Sequence, residues 1–435
     1  MMPRHSILRR LILALALLIG LAAPAAAADP SPAFSKRAGE LIGLLDRSTE
    51  PEKIFSPAFL AQVPAAQVKS IVAGLEASHG AVKKVNRIEA SSATNGAVYV
   101  DYERAVLRFN MAVAASPPNL IEGLVLAGAE VRGDSVRTVF GELTALPGEV
   151  SLAAARLEDG GRVNVLTQKA EQPLAIGSSF KLFVLAELVR SVKAGERKYA
   201  DVVALDRRSL PSGILQDWPK GAPITLHSLA ALMISRSDNT ATDTLLNALG
   251  RGKVEAIMAT VGVQAPERNR PFLSTREVFA LKMGDPAFLT AWNAADEAGR
   301  RAILAEPLMG VASVDPADLD PAKLSGQPMA IAEVEWFASP ADLVRTLDWI
   351  RKSGDRTALD ILAINPGLGR AAAEGFDYMG FKGGSEPGVL NASFLLRNKA
   401  GRWIAVSATW NDPAAPLDEA KFIGLMGRLV ALMRE

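Results

Sequence analysis

The stretch GSSFKLFVLAELV, residues 177–189, sets the reading of this chain. A short polar run, Ser178-Ser179-Phe180-Lys181, leads into a strongly apolar helical segment over 180–189. In a helix, side chains three apart share a face, so Ser178 and Lys181 come within hydrogen-bonding reach. Burial beneath an apolar helix disfavours a lysine's charged form, and a neutral amine can take a serine proton. Ser178 at the helix N-terminus also turns its own backbone N–H towards developing negative charge. Alone, S-x-x-K is a common pattern whose ordinary reading is an N-cap serine with a surface lysine. The rest of the chain has to decide.

Much is decided by what the chain lacks. With 435 residues, 49% hydrophobic and 22% charged, it is long enough for two or three globular domains with real cores. Its 48 basic residues nearly balance 47 acidic ones, and no basic run follows the N-terminus, so no nucleic-acid partner is expected. It contains no cysteine, which excludes disulfides, thiolate metal sites and cysteine-nucleophile chemistry. Beyond the first 28 residues only His79 and His227 remain, each isolated from a second ligand at metal spacing, and an ordinary capping or surface role fits both. No G-x-S-x-G elbow is present. A hydrolase built here needs a base other than histidine, and neither a metal nor a cofactor is expected.

Residues 1–28 read as an export signal: Arg4, Arg9 and Arg10 precede an apolar run from Leu11 to Leu21, and Ala26-Ala27-Ala28 forms a small-residue cleavage site. The run is short of the ~20 residues a membrane span needs, and Pro24 interrupts its end, so no stable membrane anchor is expected. Cleavage after Ala28 predicts a periplasmic or secreted protein. Residues 29–147 read as a small α+β unit, helical over 38–45 and 63–75 and strand-like over 97–102, 107–113 and 136–140. The breaker Pro147-Gly148 marks the start of a second domain, 148–435. Hairpins at 151–167 and 392–409 flank a long helical middle, and an amphipathic helix over 417–434 closes the chain. An antiparallel sheet made from both chain ends, with an all-helical insertion, is an α+β arrangement with a cleft where the two meet.

Two further motifs follow S-x-x-K in order: Ser237-Asp238-Asn239 within ALMISRSDNTATDTLLNALG, and Lys382-Gly383-Gly384 within FKGGSEPGVLN. Each alone reads as a helix cap or a strand-end turn. Together they are specific, and residues 150–435 resemble the penicillin-binding protein and class A β-lactamase superfamily, marked by S-x-x-K, S-D-N and K-T-G. PSGILQDWPKG, NRPFLSTREVFALK and VEWFASPADL are similar to its subgroup of serine hydrolases. The resemblance implies a β-lactamase/transpeptidase-like fold with Ser178 as nucleophile and Lys181 as its base. It further implies that Ser237 relays a proton to the leaving group, that Asn239 binds substrate amide and holds Lys181, and that Lys382 supports Ser237 and attracts an anionic substrate group. Gly384 and Ser385 fall on the implied substrate-lining strand, where the backbone N–H groups of Ser178 and Ser385 form the oxyanion hole.

Two departures stand against that pattern. A hydroxyl residue normally follows the third motif's lysine; this chain has Gly383, so a carboxylate contact is lost unless Ser385 supplies it. Class A β-lactamases also carry an omega-loop E-x-x-L-N glutamate that activates the deacylating water. The matching stretch here, GVQAPERNRPFLSTREVF, offers only Glu267 and Glu277, which read as a surface residue and a helix first-turn residue.

IFSPAFLAQVPAAQVKSI and PPNLIEGL in the first unit are similar to the esterase-like, β-lactamase-fold proteins of the clavulanic acid pathway, whose first domain is steroid-isomerase or cystatin-like. Asp101 and Tyr102 are adjacent in a strand, point to opposite faces and cannot share an isomerase pocket. Three functions follow as expectations. The leading one is an acyl-serine hydrolase acting on a β-lactam or related ester, with slow lactam deacylation. The others are a peptidoglycan peptidase or transpeptidase acting on a peptide-like amide, and a lactamase-fold binding protein with vestigial catalysis.

Overall fold

The computed structural model describes residues 29–206, 208–209, 211–305 and 326–434. The expected export signal, 1–28, lies outside the described residues. The chain divides into two compact units between Gly133 and Asp134.

In the first unit, helices α1 (Pro32–Leu45), α2 (Pro57–Gln62) and α3 (Ala65–His79) precede a four-stranded antiparallel meander, β1 (Val82–Ala90), β2 (Asn95–Tyr102), β3 (Ala105–Val113) and β4 (Ile121–Val131). Alternating residues of β3, among them Leu107, Phe109 and Met111, meet Phe34, Leu41 and Val72 in one core. Tyr102 is fully buried there, and burial pushes its phenol up to about 12. Asp101 accepts hydrogen bonds from Asn86 (3.0 Å) and Arg132 (2.7 Å) instead. His79 meets the Tyr102 ring edge-on.

The second unit begins with helix α4 (Val136–Thr144), not with the strand expected over 136–140. Ser135 caps it, and Val139 and Leu143, four apart, bury one face. The boundary therefore falls ahead of α4 and not at Pro147-Gly148: α4 packs within the second unit, where Arg428 pairs with both Asp134 and Glu142. A five-stranded antiparallel sheet follows in the order β11-β12-β13-β5-β6, formed by β5 (Glu149–Glu158) and β6 (Gly161–Gln168) from the start of the unit with β11 (Tyr378–Glu386), β12 (Val389–Arg397) and β13 (Trp403–Asn411) from its end. Central strands are buried on both faces: Val150, Leu152 and Ala154 of β5 face α4 and the closing helix, and Ala153 and Ala155 face the helical layer.

That helical layer holds α5 (Lys181–Lys193), α6 (Leu226–Ser235), α7 (Asn239–Leu249), α8 (Arg251–Val261), α9 (Thr275–Met283), α10 (Pro286–Ala294), α11 (Glu297–Ala305), α12 (Pro340–Ser353) and α13 (Arg356–Ala363), while α14 (Arg370–Ala373) and the closing helix α15 (Glu419–Ala431) pack on the other face. Two short pairings join it: β7 (Leu174–Ala175) with β10 (Phe337–Ala338), and β8 (Val202–Ala204) with β9 (Pro223–Thr225). The α+β class and the sheet built from both ends of the unit agree with the sequence reading. No helix among the described residues is long and apolar enough to cross a membrane.

Candidate active site

Ser178 sits on a 3₁₀ turn, Gly177–Phe180, that runs directly into α5. Its neighbours hold the turn from two sides. Ser179 is fully buried and donates to Asn391 Oδ1 of β12 at 2.6 Å, while the Asn391 amide donates to Ala408 O and Thr409 Oγ1 of β13. Phe180 stacks on Trp336 with ring centroids 3.7 Å apart. Polar anchoring to the sheet and aromatic stacking on the other side leave Ser178 the half-buried member of the turn.

Two glycines bring the edge strand against this turn. A Cβ on Gly384 would collide with Ile176 O and lie 2.7 Å from Ser178 N. Gly177, at φ +47°, would place its Cβ 3.1 Å from Ser385 N. Backbone 176–178 and backbone 384–385 therefore pack directly against each other.

Across the cleft, Ser237 takes a left-handed backbone conformation, φ +54°. Its carbonyl accepts from Ser212 Oγ (2.8 Å) and Lys181 Nζ (2.7 Å). Asp238 is fully buried and caps α7 through Ala241 N, while its other oxygen accepts from Ile214 N and Leu215 N. Gly213, at φ +117°, has no room for a Cβ because the Asp238 carboxyl fills that space. The loop within PSGIL thus braces the S-D-N turn, a role the sequence reading missed although the stretch itself stood out.

The hydroxyl of Ser237 lies between two buried lysines: Lys181 Nζ and Lys382 Nζ are each 3.1 Å from Ser237 Oγ. Lys181 also donates to Asn239 Oδ1 at 2.8 Å, and Lys382 to Gly383 O at 2.5 Å. Burial, reinforced by the charge of Lys382, holds the Lys181 ammonium well below its ordinary value, against the weaker opposite pull of Asp243 and Asp238. Burial lowers Lys382 to about 7. Asp243 is buried, and Ser209, Thr275 and the Arg276 N–H donate to it, tying α7 to the start of α9.

The third motif's missing hydroxyl has a physical cause. A Cβ on Gly383 would lie 2.7 Å from Phe381 Cζ, so the Phe381 ring covers the position where a side chain would stand. Ser385 is exposed on that same strand face, opposite Leu390. Glu277 is the third residue of α9, where it completes a capping box with Ser274 and pairs with Arg251 at 2.6 Å. Glu267 is exposed on a short turn whose Asn269 is bonded both ways to Phe337 of β10.

A further cluster, unseen in sequence, joins Lys282 of α9, Glu335 ahead of β10 and Glu386 at the end of β11. Lys282 Nζ lies 2.9 Å from Glu335 Oε1 and 2.5 Å from Glu386 Oε1. Burial would lower Lys282, but the two carboxyls outweigh it and raise the amine. Burial, then repulsion from Glu335, lifts Glu386 well above the carboxylate range. Among the described residues no group of three or more His, Cys, Asp or Glu is arranged to hold a metal ion.

Residues 134–432 match the model of the beta-lactamase enzyme family. No curated protein matches the chain. Similar solved structures include a beta-lactamase from Sphaerobacter thermophilus, 20% identical with a TM-score of 0.47 over 68% of this chain and 94% of that one. PBP-A is 15% identical, with a TM-score of 0.46 over 69% of this chain and 94% of its own. A beta-lactamase from Chitinophaga pinensis is 17% identical, with a TM-score of 0.46 over 69% and 98%.

Proposed function

The chain belongs to the beta-lactamase enzyme family and is a serine hydrolase of that family, and from that premise we propose that Ser178 forms an acyl-enzyme with β-lactams or related esters after export and loss of residues 1–28. The observation that carries the reading is the Ser237 hydroxyl shared by two buried lysines, each 3.1 Å away. Lys181, whose ammonium burial disfavours, takes the Ser178 proton as Oγ attacks the carbonyl. Ser237 then passes a proton to the departing nitrogen or oxygen, and Lys382 resupplies it. Negative charge on the carbonyl oxygen develops against the N–H groups of Ser178 and Ser385, which need no reorganisation to receive it. Asn239 fixes the Lys181 amine through its Oδ1 and contributes its amide to substrate.

Deacylation of a lactam is the slow half of the cycle at neutral pH. The tethered leaving group blocks water from the Ser237 side, so a base is needed opposite. Glu277 is engaged by Arg251 and Ser274, and Glu267 faces solvent. Incubation with a β-lactam panel followed by intact-protein mass spectrometry tests the proposal: a one-to-one adduct on Ser178 is expected, and an unmodified protein that also leaves activated esters intact overturns it. Turnover of peptidoglycan stem peptides in place of lactams would move the substrate class to peptide-like amides.

A further inference from the structure

Acylation uses one side of the Ser178 turn and leaves the Lys282–Glu335–Glu386 cluster without a role. Its position follows from strand register. Lys382, Gly384 and Glu386 pair with Ser393, Asn391 and Val389 of β12, so the three share one face of β11. On that face Lys382 reaches Ser237, Gly384 lies against Ser178 N, and Glu386 follows two residues on, about 7 Å along the strand. Glu386 therefore stands on the opposite side of the nucleophile from the proton relay. Glu335 is tied to the same place: the next residue, Trp336, accepts from Ile176 N at 3.0 Å and stacks on Phe180.

The cluster draws two carboxyls onto one buried amine: Lys282 donates to both Glu335 and Glu386, and burial together with repulsion from Glu335 lifts Glu386 well above the carboxylate range. The charged groups facing Glu386 are Lys282 from α9 and Glu335 from the segment before β10, with Lys382 further along its own strand; Glu419 of α15 lines the cavity of about 300 Å³ that opens at the strand end beside Glu386. The Glu386 side chain is 15% exposed, so water reaches it.

We propose that Glu386 is the general base of deacylation, with Glu335 and Lys282 setting when it is free to act. This rests on Ser178 being acylated as set out above. A water on the Glu386 side attacks the acyl carbon and gives a proton to the carboxylate. The bond from that carbon to Ser178 Oγ breaks, and the same proton returns to Oγ, leaving the free acid and the resting serine. Burial and repulsion from Glu335 raise the Glu386 carboxyl above the usual carboxylate range, so hydrolysis of the acyl-enzyme is slow in acid and accelerates as pH rises.

The test is stopped-flow hydrolysis of p-nitrophenyl acetate and of benzylpenicillin by the full mature chain, beside mass spectrometry of the adduct. The parent should show a stoichiometric burst at every pH and a deacylation rate that climbs with pH. Glu386→Gln should keep the burst, lower deacylation by roughly 10² to 10⁴ and flatten its pH dependence. Glu335→Gln, which removes the repelling charge, should move the climb to lower pH, a shift that a purely structural role would not produce. A Glu386→Gln enzyme that deacylates with the parent's rate and profile overturns the proposal. Should that variant not fold, an unshifted profile in Glu335→Gln overturns it equally. Absence of any burst in the parent would instead overturn the acyl-serine reading itself.

Discussion

Lys181 and Lys382 on one side of the nucleophile and Lys282 on the other are all buried, yet their charges are set in opposite directions. The first two donate only to hydroxyl, amide and carbonyl oxygens, which solvate an ammonium without countering its charge. Desolvation then prevails, and both are lowered. Lys282 meets two carboxyls within 2.9 Å, and their attraction more than offsets the same desolvation. Burial by itself therefore does not decide whether a lysine is a base; the chemistry of its acceptors does. On this contrast the lowered pair suits proton transfer, and the raised lysine suits holding a carboxyl pair in place.

The largest expected effect comes from removing what the lowered pair serves. Ser178→Ala should abolish covalent labelling and hydrolysis together, since neither lysine can substitute as nucleophile in the same geometry; persistent turnover measured by product release would break the assignment. Next in size, Lys181→Ala should slow acylation by about 10² to 10⁴ while the fold survives. In the parent, acylation needs the neutral amine, so its rate should fall as pH drops through the lowered Lys181 value. An acylation rate without that acid limb, measured by burst kinetics across pH, would show that Lys181 is not the base.

On the other side, Lys282→Met should act on stability before it acts on chemistry. Removing one partner of a buried ion pair leaves uncompensated charge and costs about 3–5 kcal/mol. With the ammonium gone, the loss grows as pH rises and the Glu386 carboxyl is driven to ionise; in the parent, the raised Lys282 keeps contributing until pH climbs through its own folded value. Chemical denaturation of parent and variant at pH 5 and pH 8 separates these cases. A small, pH-independent loss would dissolve the contrast between the two sides.

These same two sides were unequally legible in the sequence. S-x-x-K and S-D-N are local patterns, so Ser178, Lys181, Ser237 and Asn239 could be named before any fold was known, although the bonds that join the two motifs, Lys181 to Ser237 and Asn239, span more than fifty positions and come only from the fold. Lys282, Glu335 and Glu386 are separated by 53 and 104 positions, and no local period joins them. The departure at Gly383 was legible but its cause was not, because it depends on where the Phe381 ring lies. The segment 136–140 misled for a simpler reason: a short stretch rich in β-branched and aromatic residues fits a strand, and only Val139 with Leu143 reveals the helical period.

The smallest expected effect sharpens the contrast within the lowered pair itself. Burial lowers both amines, and Lys382 sits at about 7 and so carries its charge for only part of the protein at neutral pH. Its ammonium, when present, is the cation of the third motif available to an anionic substrate group, because the Phe381 ring over Gly383 leaves no hydroxyl at the next position to share the contact. A hydrogen bond to a charged group contributes about 1.5–3 kcal/mol, so Lys382→Ala should lower kcat/KM for an anionic substrate roughly ten- to a hundredfold more than for a neutral ester of similar size. The preference of the parent for the anion should also fade as pH rises through about 7 and the amine loses its proton. In Lys382→Ala that pH dependence of the preference should vanish, while any general loss from the weakened Ser237 relay affects both substrates alike. Competition between a penicillin and its methyl ester, followed from pH 5.5 to 8.5, measures the ratio directly. Equal losses for both substrates, with a preference that does not change with pH, would leave Lys382 a member of the relay alone and would assign anion recognition elsewhere in the cleft.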